Sequence, residues 1–343
     1  MRLATAWRVS VLCAAVTAAP AAAQDRAPDA PPAPREAELK SFMNIDAKDA
    51  ATKLDLLVHT LYEVNQKLVA VTFSQRYGDR IRMERVMIPN GDRDTTPGWI
   101  FRPLHMEGGR RYPGVTLVHG AFHGSFDEDM FVYVDRLVRE GYAVIVPEYR
   151  GSRGYGAEHY HAQEYGGRDT DDVMAGTDLL AGKPYSDPQR QAIVGWSRGG
   201  LETLLALQRA PRKYRAAVDV AGLADFLMYM AYKPEYRRQE VARESQFKGM
   251  PFERLEAYMA ASPILHVAKI ETPLLILATT HDETVPHQLH SERLAEALRA
   301  HGKTFEYKLY EHAPGGHSFV DADTPEARDA LDRIVAFLGK HVR

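Results

Sequence analysis

The spacing of apolar residues near the start of the chain is helical. Leucine or valine recurs at intervals of three and four positions, at Leu54, Leu57, Leu61, Val64 and Leu68. Such spacing places the side chains on one face of an α-helix. The pattern favours a helix whose apolar stripe packs against the rest of its own chain. A helix that pairs two chains and a helix that lies on a membrane surface are the alternatives.

From about Arg80 the pattern changes to that of β-strands. Arg80–Ile88 and Trp99–Arg102 are predicted to form an antiparallel pair across a turn rich in Pro, Asn, Gly and Asp. Further strands are predicted at Gly114–Val118, Ala143–Val146, Ala192–Val194, Ala216–Val220, Leu274–Ala278 and Thr304–Tyr310. Helical stretches separate them, which predicts an α/β fold with a doubly wound, mostly parallel sheet. In such a sheet the functional groups gather at the carboxyl ends of the strands.

The composition is that of a large folded protein without a strong charge. Hydrophobic residues make up 45% of the 343 residues, which is enough to bury a large core. The net charge at pH 7 is −3. Because no basic surface is indicated, nucleic acid is not an expected partner.

The first 23 residues are predicted to be a signal peptide. Arg2 and Arg8 precede an apolar run from Val9 to Ala19, and small residues follow at Ala21–Ala23. The run is shorter than the roughly 18 residues that a membrane-spanning helix needs, so no stable membrane insertion is expected. These features predict export to a bacterial periplasm or beyond. Cleavage would also remove Cys13, the only cysteine, and leave a mature protein without disulfides.

Three further segments are predicted after the signal peptide. Residues 24–36 contain four prolines and form a linker, and residues 37–75 form a helical extension. Residues 76–343 form the main domain.

A short strand, a sharp turn and a helix follow one another at residues 192–208. The turn reads Gly195-Trp196-Ser197-Arg198-Gly199, and the helix is predicted over Leu201–Gln208. This Gly-x-Ser-x-Gly turn is typical of the nucleophile elbow of the α/β-hydrolase fold, in which a serine is exposed on a strained turn. Small neighbours let the strand and the helix approach closely. The nucleophile is therefore predicted to be Ser197.

A serine nucleophile needs a histidine base and an acid that orients the histidine, and in this fold they follow in the order serine, acid, histidine. Asp282 lies in the loop that leaves the strand Leu274–Ala278 and is the favoured acid, although it could instead cap a following helix. Glu283 is its competitor. His317 follows two glycines that free its loop, and it is favoured as the base over His312.

The transition state of such an attack carries a negative oxygen that needs donors already aimed at it. The backbone N–H groups of Arg198 and Ala121 are the predicted donors. Histidines also occur in close pairs, at His119 and His123, His159 and His161, and His287 and His290. Because no pair forms an HExxH motif and no cysteine assists, a catalytic metal is not expected.

Several segments resemble the catalytic domain of the prolyl oligopeptidase family, especially its acylaminoacyl-peptidase and dipeptidyl-peptidase branches. They are Tyr149–Gly156, Gly166–Val173, Gly195–Gly200 and Ala261–Pro286. The resemblance covers about Ile100–Leu338. It implies a serine hydrolase that acts through an acyl-enzyme without a cofactor. Where the dipeptidyl branch offers a tyrosine hydroxyl to the oxyanion, this chain has His119, a third candidate donor.

The chain also departs from that family. Family peptidases carry a β-propeller before this domain, and the residues between the linker and Ile100 are too few to form one. Arg198 stands where the dipeptidyl branch has a tyrosine, and Ala121-Phe122 replaces the usual pair in the oxyanion loop. A long insertion at about residues 222–262 is expected to form a helical lid. Its aromatic and methionine side chains are expected to form mainly the lid core, with some lining an apolar pocket.

The sequence therefore predicts an exported serine hydrolase that cleaves peptide or amide bonds of small substrates. A carboxylesterase acting on small or aromatic esters is the alternative, because the same three catalytic groups cleave esters. A non-catalytic binding protein on a hydrolase fold is a more remote alternative. The expected partner is a small peptide, amide or ester substrate. A homodimer through the N-terminal helix is the alternative to packing of that helix on its own chain. The residues that bind the substrate are not assigned.

Overall fold

A computed structural model describes residues 50–91 and 95–342 of the chain. The chain divides into two units, residues 1–53 and 54–343. Residues 50–53 of the first unit are the start of a helix, and all other described residues belong to the second unit. The predicted signal peptide, the linker and the start of the helical extension lie outside the described residues, so these domain boundaries stay predictions.

The described strands form one eight-stranded sheet in the order β1-β2-β4-β3-β5-β6-β7-β8. The strands are β1 (Ile81–Pro89), β2 (Thr95–Pro103), β3 (Tyr112–Val118), β4 (Ala143–Pro147), β5 (Ser186–Trp196), β6 (Ala216–Val220), β7 (Leu274–Thr279) and β8 (Phe305–Tyr310). Strand β2 is antiparallel to both β1 and β4, and all other neighbours are parallel. The predicted α/β fold, with its mostly parallel sheet and antiparallel start, is confirmed.

Helices cover both faces of this sheet. They are α1 (Ala50–Tyr77), α2 (Phe131–Arg139), α3 (Ala157–His161), α4 (Arg168–Ala181), α5 (Arg198–Arg209), α6 (Phe226–Tyr232), α7 (Glu235–Arg243), α8 (Leu255–Ala260), α9 (Ser291–Ala300) and α10 (Pro325–Val342). Side chains of α1, α2 and α10 share one core with Val194 of β5. Side chains of α4, α5 and α9 share a second core with the neighbouring Ile193. Because side chains alternate along a strand, β5 contributes to both cores and is buried on both faces.

The predicted packing of the stripe on α1 is wrong. Its leucines and valines are exposed, and the buried residues of α1 are His59, Gln66, Val69 and Phe73. The ring of Phe73 lies 4.9 to 5.7 Å from three phenylalanine rings of the main domain, at Phe101, Phe126 and Phe131. A buried aromatic ring contributes a large apolar area, so this cluster fixes the face that α1 turns to the core.

The predicted insertion between β6 and β7 contains the three short helices α6, α7 and α8. Phe226, Tyr229, Met230 and Tyr258 are buried in one cluster there, as expected of a lid core. Tyr236 is instead exposed. None of the helices in the described residues combines the length and the apolar character that crossing a membrane requires.

Candidate active site

The turn between β5 and α5 holds Ser197 in a strained conformation. Its φ and ψ angles are 57° and −117°, a region that side-chain-bearing residues rarely adopt. A Cβ atom on Gly195 would lie 2.0 Å from the carbonyl oxygen of Gly199, and one on Gly199 would lie 2.1 Å from that of Val118. Only glycine therefore fits on either side of the serine, and the turn presents Ser197 at the carboxyl end of the central strand.

Ser197, His317 and Asp282 form one continuous chain of hydrogen bonds. The Nε2 atom of His317 lies 2.8 Å from Oγ of Ser197, and its Nδ1 atom lies 2.7 Å from Oδ2 of Asp282. The carboxylate of Asp282 is buried and the imidazole is mostly buried. These are the distances at which a histidine can take a proton from the serine while the carboxylate holds the ring in place.

The second carboxylate oxygen of Asp282 is held by the backbone. Its Oδ1 atom accepts hydrogen bonds from the N–H groups of Thr284 at 2.9 Å and Val285 at 2.7 Å. Asp282 therefore closes its own loop and contacts the histidine at the same time. The competing acid, Glu283, is exposed.

Two glycines shape the loop that carries His317. Gly315 and Gly316 both have positive φ angles, 94° and 55°, which glycine adopts without steric cost. The carbonyl oxygen of His317 accepts a hydrogen bond from the indole N–H of Trp196 at 3.3 Å. The competing base, His312, is exposed, and its Nδ1 atom lies 2.9 Å from Nε2 of His281.

The loop after β3 passes directly beside Ser197. A Cβ atom on Gly120 would lie 3.3 Å from that of Ser197, and the next residue, Ala121, has a positive φ angle of 60°. Arg198 is the first residue of α5, where backbone N–H groups have no partner within the helix. The two backbone groups predicted to bind the oxyanion thus belong to segments that flank the serine.

His119 does not fit the predicted role of oxyanion donor. Its Nδ1 atom lies 3.0 Å from the carbonyl oxygen of Gly120 and its Nε2 atom lies 2.9 Å from Oγ of Ser152. The ring stacks on Tyr149 at 4.3 Å, and burial lowers the pKa of His119 to about 3. Because both nitrogens have partners inside the protein, neither is free to face a substrate.

The Arg198 side chain has a role that the sequence reasoning missed. Its guanidinium is buried and donates hydrogen bonds to the carbonyl oxygen of Phe122 at 2.6 Å and to Oδ2 of Asp169 at 2.9 Å. It also lies 5.1 Å from the ring centres of Tyr149 and Tyr165. The sequence held one signal of this contact. Asp169, which binds the guanidinium, lies in Gly166–Val173, one of the segments that resemble the prolyl oligopeptidase family.

The insertion contacts loops on both sides of the serine. The Tyr232 hydroxyl and the Lys233 ammonium donate hydrogen bonds to the carbonyl oxygen of Thr284, at 2.9 and 2.7 Å, beside Asp282. On the other side, the guanidinium of Arg237 lies 3.8 Å from the ring centre of Phe122 in the loop after β3. The insertion therefore connects the loop of the acid to the predicted oxyanion loop.

Several histidines of the predicted pairs are occupied by protein groups. His123 Nδ1 lies 2.7 Å from the carbonyl oxygen of Gly151, and His159 Nε2 lies 2.9 Å from that of Glu148. His290 accepts a hydrogen bond from the backbone N–H of Asp225 at 3.3 Å. These contacts favour structural roles for the three histidines.

A cavity of about 830 Å³ lies between α1 and the β1–β2 pair. Its walls include Glu63, Arg85, Trp99 and Tyr155. Ser197, Asp282 and His317 do not line it. Ser197 and its two partners therefore lie outside this cavity.

Comparison with known proteins identifies relatives over about three quarters of the chain. The chain is 31% identical over 263 residues to the "Uncharacterized peptidase YuxL" of Bacillus subtilis (strain 168), a match that covers 76% of this chain and 39% of that protein. It resembles a solved Mycobacterium tuberculosis puromycin-hydrolyzing peptidase with a TM-score of 0.65 and 26% identity, over 76% of this chain and 39% of that one.

A solved acylaminoacyl peptidase in complex with Z-Gly-Gly-Phe-chloromethyl ketone has the same fold. Its TM-score is 0.68 at 20% identity, over 78% of this chain and 43% of that chain. The chain thus spans less than half the length of each of these three proteins. The sequence model of the prolyl oligopeptidase family matches residues 128–343. Because that match covers more than half of the chain and includes Ser197, Asp282 and His317, the chain belongs to the prolyl oligopeptidase family of serine hydrolases.

Proposed function

We propose that the protein is an exported serine peptidase that cleaves peptide or amide bonds of small substrates. One observation carries the proposal: the hydrogen bonds of 2.7 and 2.8 Å that run from Asp282 through His317 to Ser197. Membership of the family supports hydrolase chemistry. The three relatives described above are all named as peptidases, which favours peptide substrates over esters.

The reaction begins when Ser197 attacks the substrate carbonyl. His317 Nε2 accepts the proton of the Ser197 hydroxyl and then donates it to the leaving amine, which gives an acyl-enzyme on Ser197. Water releases the acyl group in a second step, with His317 again as the base. Asp282 keeps the imidazole in the required tautomer and stabilises its protonated form.

The negative oxygen that forms in each step is bound by the backbone N–H groups of Arg198 and Ala121. A single such donor is worth about 10²–10³ in rate. The Arg198 guanidinium supports this arrangement because it binds the carbonyl oxygen of Phe122, the residue after Ala121. The side chain of one donor residue therefore fixes the loop that carries the other donor before the substrate arrives.

The first experiment is an activity panel on the purified protein and its Ser197→Ala variant. It compares aminoacyl, acylaminoacyl and Gly-Pro p-nitroanilides with short-chain p-nitrophenyl esters. Anilide turnover that the variant loses is the expected result. Ester turnover alone, also lost in the variant, would make the protein a carboxylesterase on this scaffold. Equal activity of the two proteins would remove Ser197 from the mechanism.

The role of the acid is tested in the same panel with a matched pair of variants. Asp282→Asn keeps the shape of the side chain but no longer stabilises protonated His317, and a loss of about 10⁴ in kcat is expected. Glu283→Gln, at the exposed neighbouring position, is expected to keep the activity of the unmodified protein. Activity lost in Glu283→Gln and kept in Asp282→Asn would identify Glu283 as the acid.

The protein is also proposed to pair with a second copy of itself through α1. Six side chains form its exposed stripe, with exposed fractions between 46% and 61%: Leu54, Leu57, Leu61, Val64, Leu68 and Val71. Their alternating spacing of three and four is that of a coiled-coil seam. The spacing reads the same in both directions, so two antiparallel helices related by a two-fold axis can match along the whole stripe.

A further inference from the structure

Two histidines and one aspartate from different helices converge outside the catalytic region. Asp55 and His59 lie one turn apart on α1, and His161 is the last residue of α3. One donor atom from each lies within 4.8 Å of the other two. Asp55 and His161 are exposed and His59 is buried, so the group is open to solvent on one side and fixed to the protein on the other.

One pair of donor atoms already has the separation that a metal ion requires. The Nε2 atom of His59 lies 3.4 Å from Oδ1 of Asp55. Bonds of about 2.0–2.2 Å in a tetrahedral site place neighbouring ligand atoms roughly 3.3–3.6 Å apart. The exposed His161 side chain can adjust its rotamer to complete the set.

A second observation distinguishes this group from an ordinary cluster of polar residues. The Nδ1 atom of His59 is buried and has no hydrogen-bond partner in the described part of the chain. Leaving a buried polar atom unpaired costs free energy. The rings of Tyr62 and Tyr160 lie 6.0 and 5.0 Å from the imidazole in edge contacts and hold it at this place. The fold thus keeps His59 buried with its Nδ1 atom unpaired and its Nε2 atom facing the carboxylate of Asp55.

We propose that Asp55, His59 and His161 bind one divalent transition-metal ion, with water in the remaining position. Two imidazoles and a carboxylate suit Zn²⁺, Co²⁺, Ni²⁺ or Cu²⁺ better than Mg²⁺ or Ca²⁺, which prefer oxygen ligands. The site takes no part in the proposed chemistry of Ser197 and does not depend on it.

The position of the site suggests what the ion does. It joins α1 to α3, and Tyr160 of α3 stacks on His123 with ring centres 3.6 Å apart. His123 follows Ala121 and Phe122 in the loop after β3. The ion therefore stabilises the contact between α1 and the helix that supports this loop. Because the ion binds the folded state, it raises the temperature of unfolding.

Calorimetric titration with Zn²⁺ tests the proposal on protein purified without a histidine tag. The unmodified protein is expected to bind one ion per chain at this site. His161→Gln and Asp55→Asn change exposed side chains and are expected to weaken Zn²⁺ binding at least about 10- to 100-fold. Mutation of a residue that only contacts a metal ligand already has an effect of this size. Without metal, both variants are expected to unfold at the temperature of the unmodified protein.

The matched control is His312→Gln. His312 and His281 form another close pair of exposed histidines, with nitrogens 2.9 Å apart, so they are the competing place for an ion. Binding retained in His312→Gln and lost in His161→Gln supports the proposal, as does a visible absorption band of tetrahedral Co²⁺ that only His161→Gln loses. Absence of binding to the unmodified protein, or loss in His312→Gln alone, would overturn it.

Discussion

Glu148 and His119 are two ionisable residues buried behind the predicted oxyanion loop. Burial raises the pKa of Glu148 to about 8 and lowers that of His119 to about 3. Both side chains are therefore uncharged at neutral pH, although Nε2 of His119 lies only 3.7 Å from Oε2 of Glu148. Oε1 of Glu148 accepts hydrogen bonds from the N–H groups of Phe126 and Trp99, which fixes the carboxyl group between β2 and the loop.

This carboxyl group makes stability depend on pH. Glu148 has a pKa near 4.5 when exposed and about 8 in the folded protein. Its stabilising contribution is complete below about pH 4.5 and is lost as the pH rises through 8. Glu148→Gln keeps an oxygen that can accept the hydrogen bonds of Trp99 and Phe126, but its side chain does not ionise. The stability of the unmodified protein relative to this variant is expected to fall between pH 5 and 8, by up to about 1.4 kcal/mol per pH unit.

Urea unfolding at pH 5, 6, 7 and 8 measures this difference. Glu311→Gln is the control, since Glu311 is exposed. The difference in free energy of unfolding between this variant and the unmodified protein is expected not to change with pH. A flat difference for Glu148→Gln as well would show that Glu148 is ionised in the folded protein.

At the level of single residues, the sequence predicted the serine, acid and histidine because each sits at a fixed place in a motif. Two glycines before His317 and one on each side of Ser197 were visible in the sequence. The role of His119 was predicted wrongly because it depends on Ser152 and Tyr149, which lie some 30 positions away. The choice of partner for a buried side chain is a tertiary property that local spacing does not contain.

At the level of elements, α1 has two faces of different character. One face enters the core through Val69 and Phe73, and the opposite face exposes a regular stripe. The sequence favoured the stripe as the buried face because leucine spacing is the strongest periodic signal. The structure instead follows the aromatic cluster around Phe73. The strands were predicted well because buried parallel strands are short apolar runs between turn residues.

The proposed pairing of α1 predicts the oligomeric state. Sedimentation of the unmodified protein is expected to give a dimer. Leu61→Glu combined with Leu68→Glu places charges on the stripe and is expected to give a folded monomer. Val132→Glu is the matched control, because Val132 is equally exposed on α2 but lies outside the stripe, and it is expected to stay dimeric. A monomeric unmodified protein would rule out the pairing.

At the level of the whole molecule, the antiparallel β1–β2 pair and the parallel strands form a single sheet with helices on both faces. The order of strands and helices along the chain was enough to predict this architecture, because only a few topologies are compatible with the connections between parallel strands. The arrangement of the insertion between β6 and β7 was not predictable, because its three short helices are placed by tertiary contacts such as the cluster around Phe226.

Export predicts a defined start of the mature protein. Mass spectrometry of protein from the periplasm of an expressing bacterium is expected to find Gln24 as the first residue. Ala23→Phe replaces a small residue at the cleavage site and is expected to block processing. Cys13→Ala is expected to leave processing unchanged, because Cys13 lies inside the apolar run and not at the predicted cleavage site. An intact chain recovered only from the cytoplasm would contradict export.

The contact between Trp196 and His317 gives the protein an optical signal of its own. The two rings lie 5.7 Å apart, and the indole also donates to the His317 backbone. A protonated imidazole quenches the emission of a neighbouring indole, whereas a neutral one does so far less. In protein without the predicted signal peptide, which carries Trp7, replacing Trp99 with phenylalanine leaves Trp196 as the only indole. Its fluorescence then reports the charge on His317 during acylation without any label.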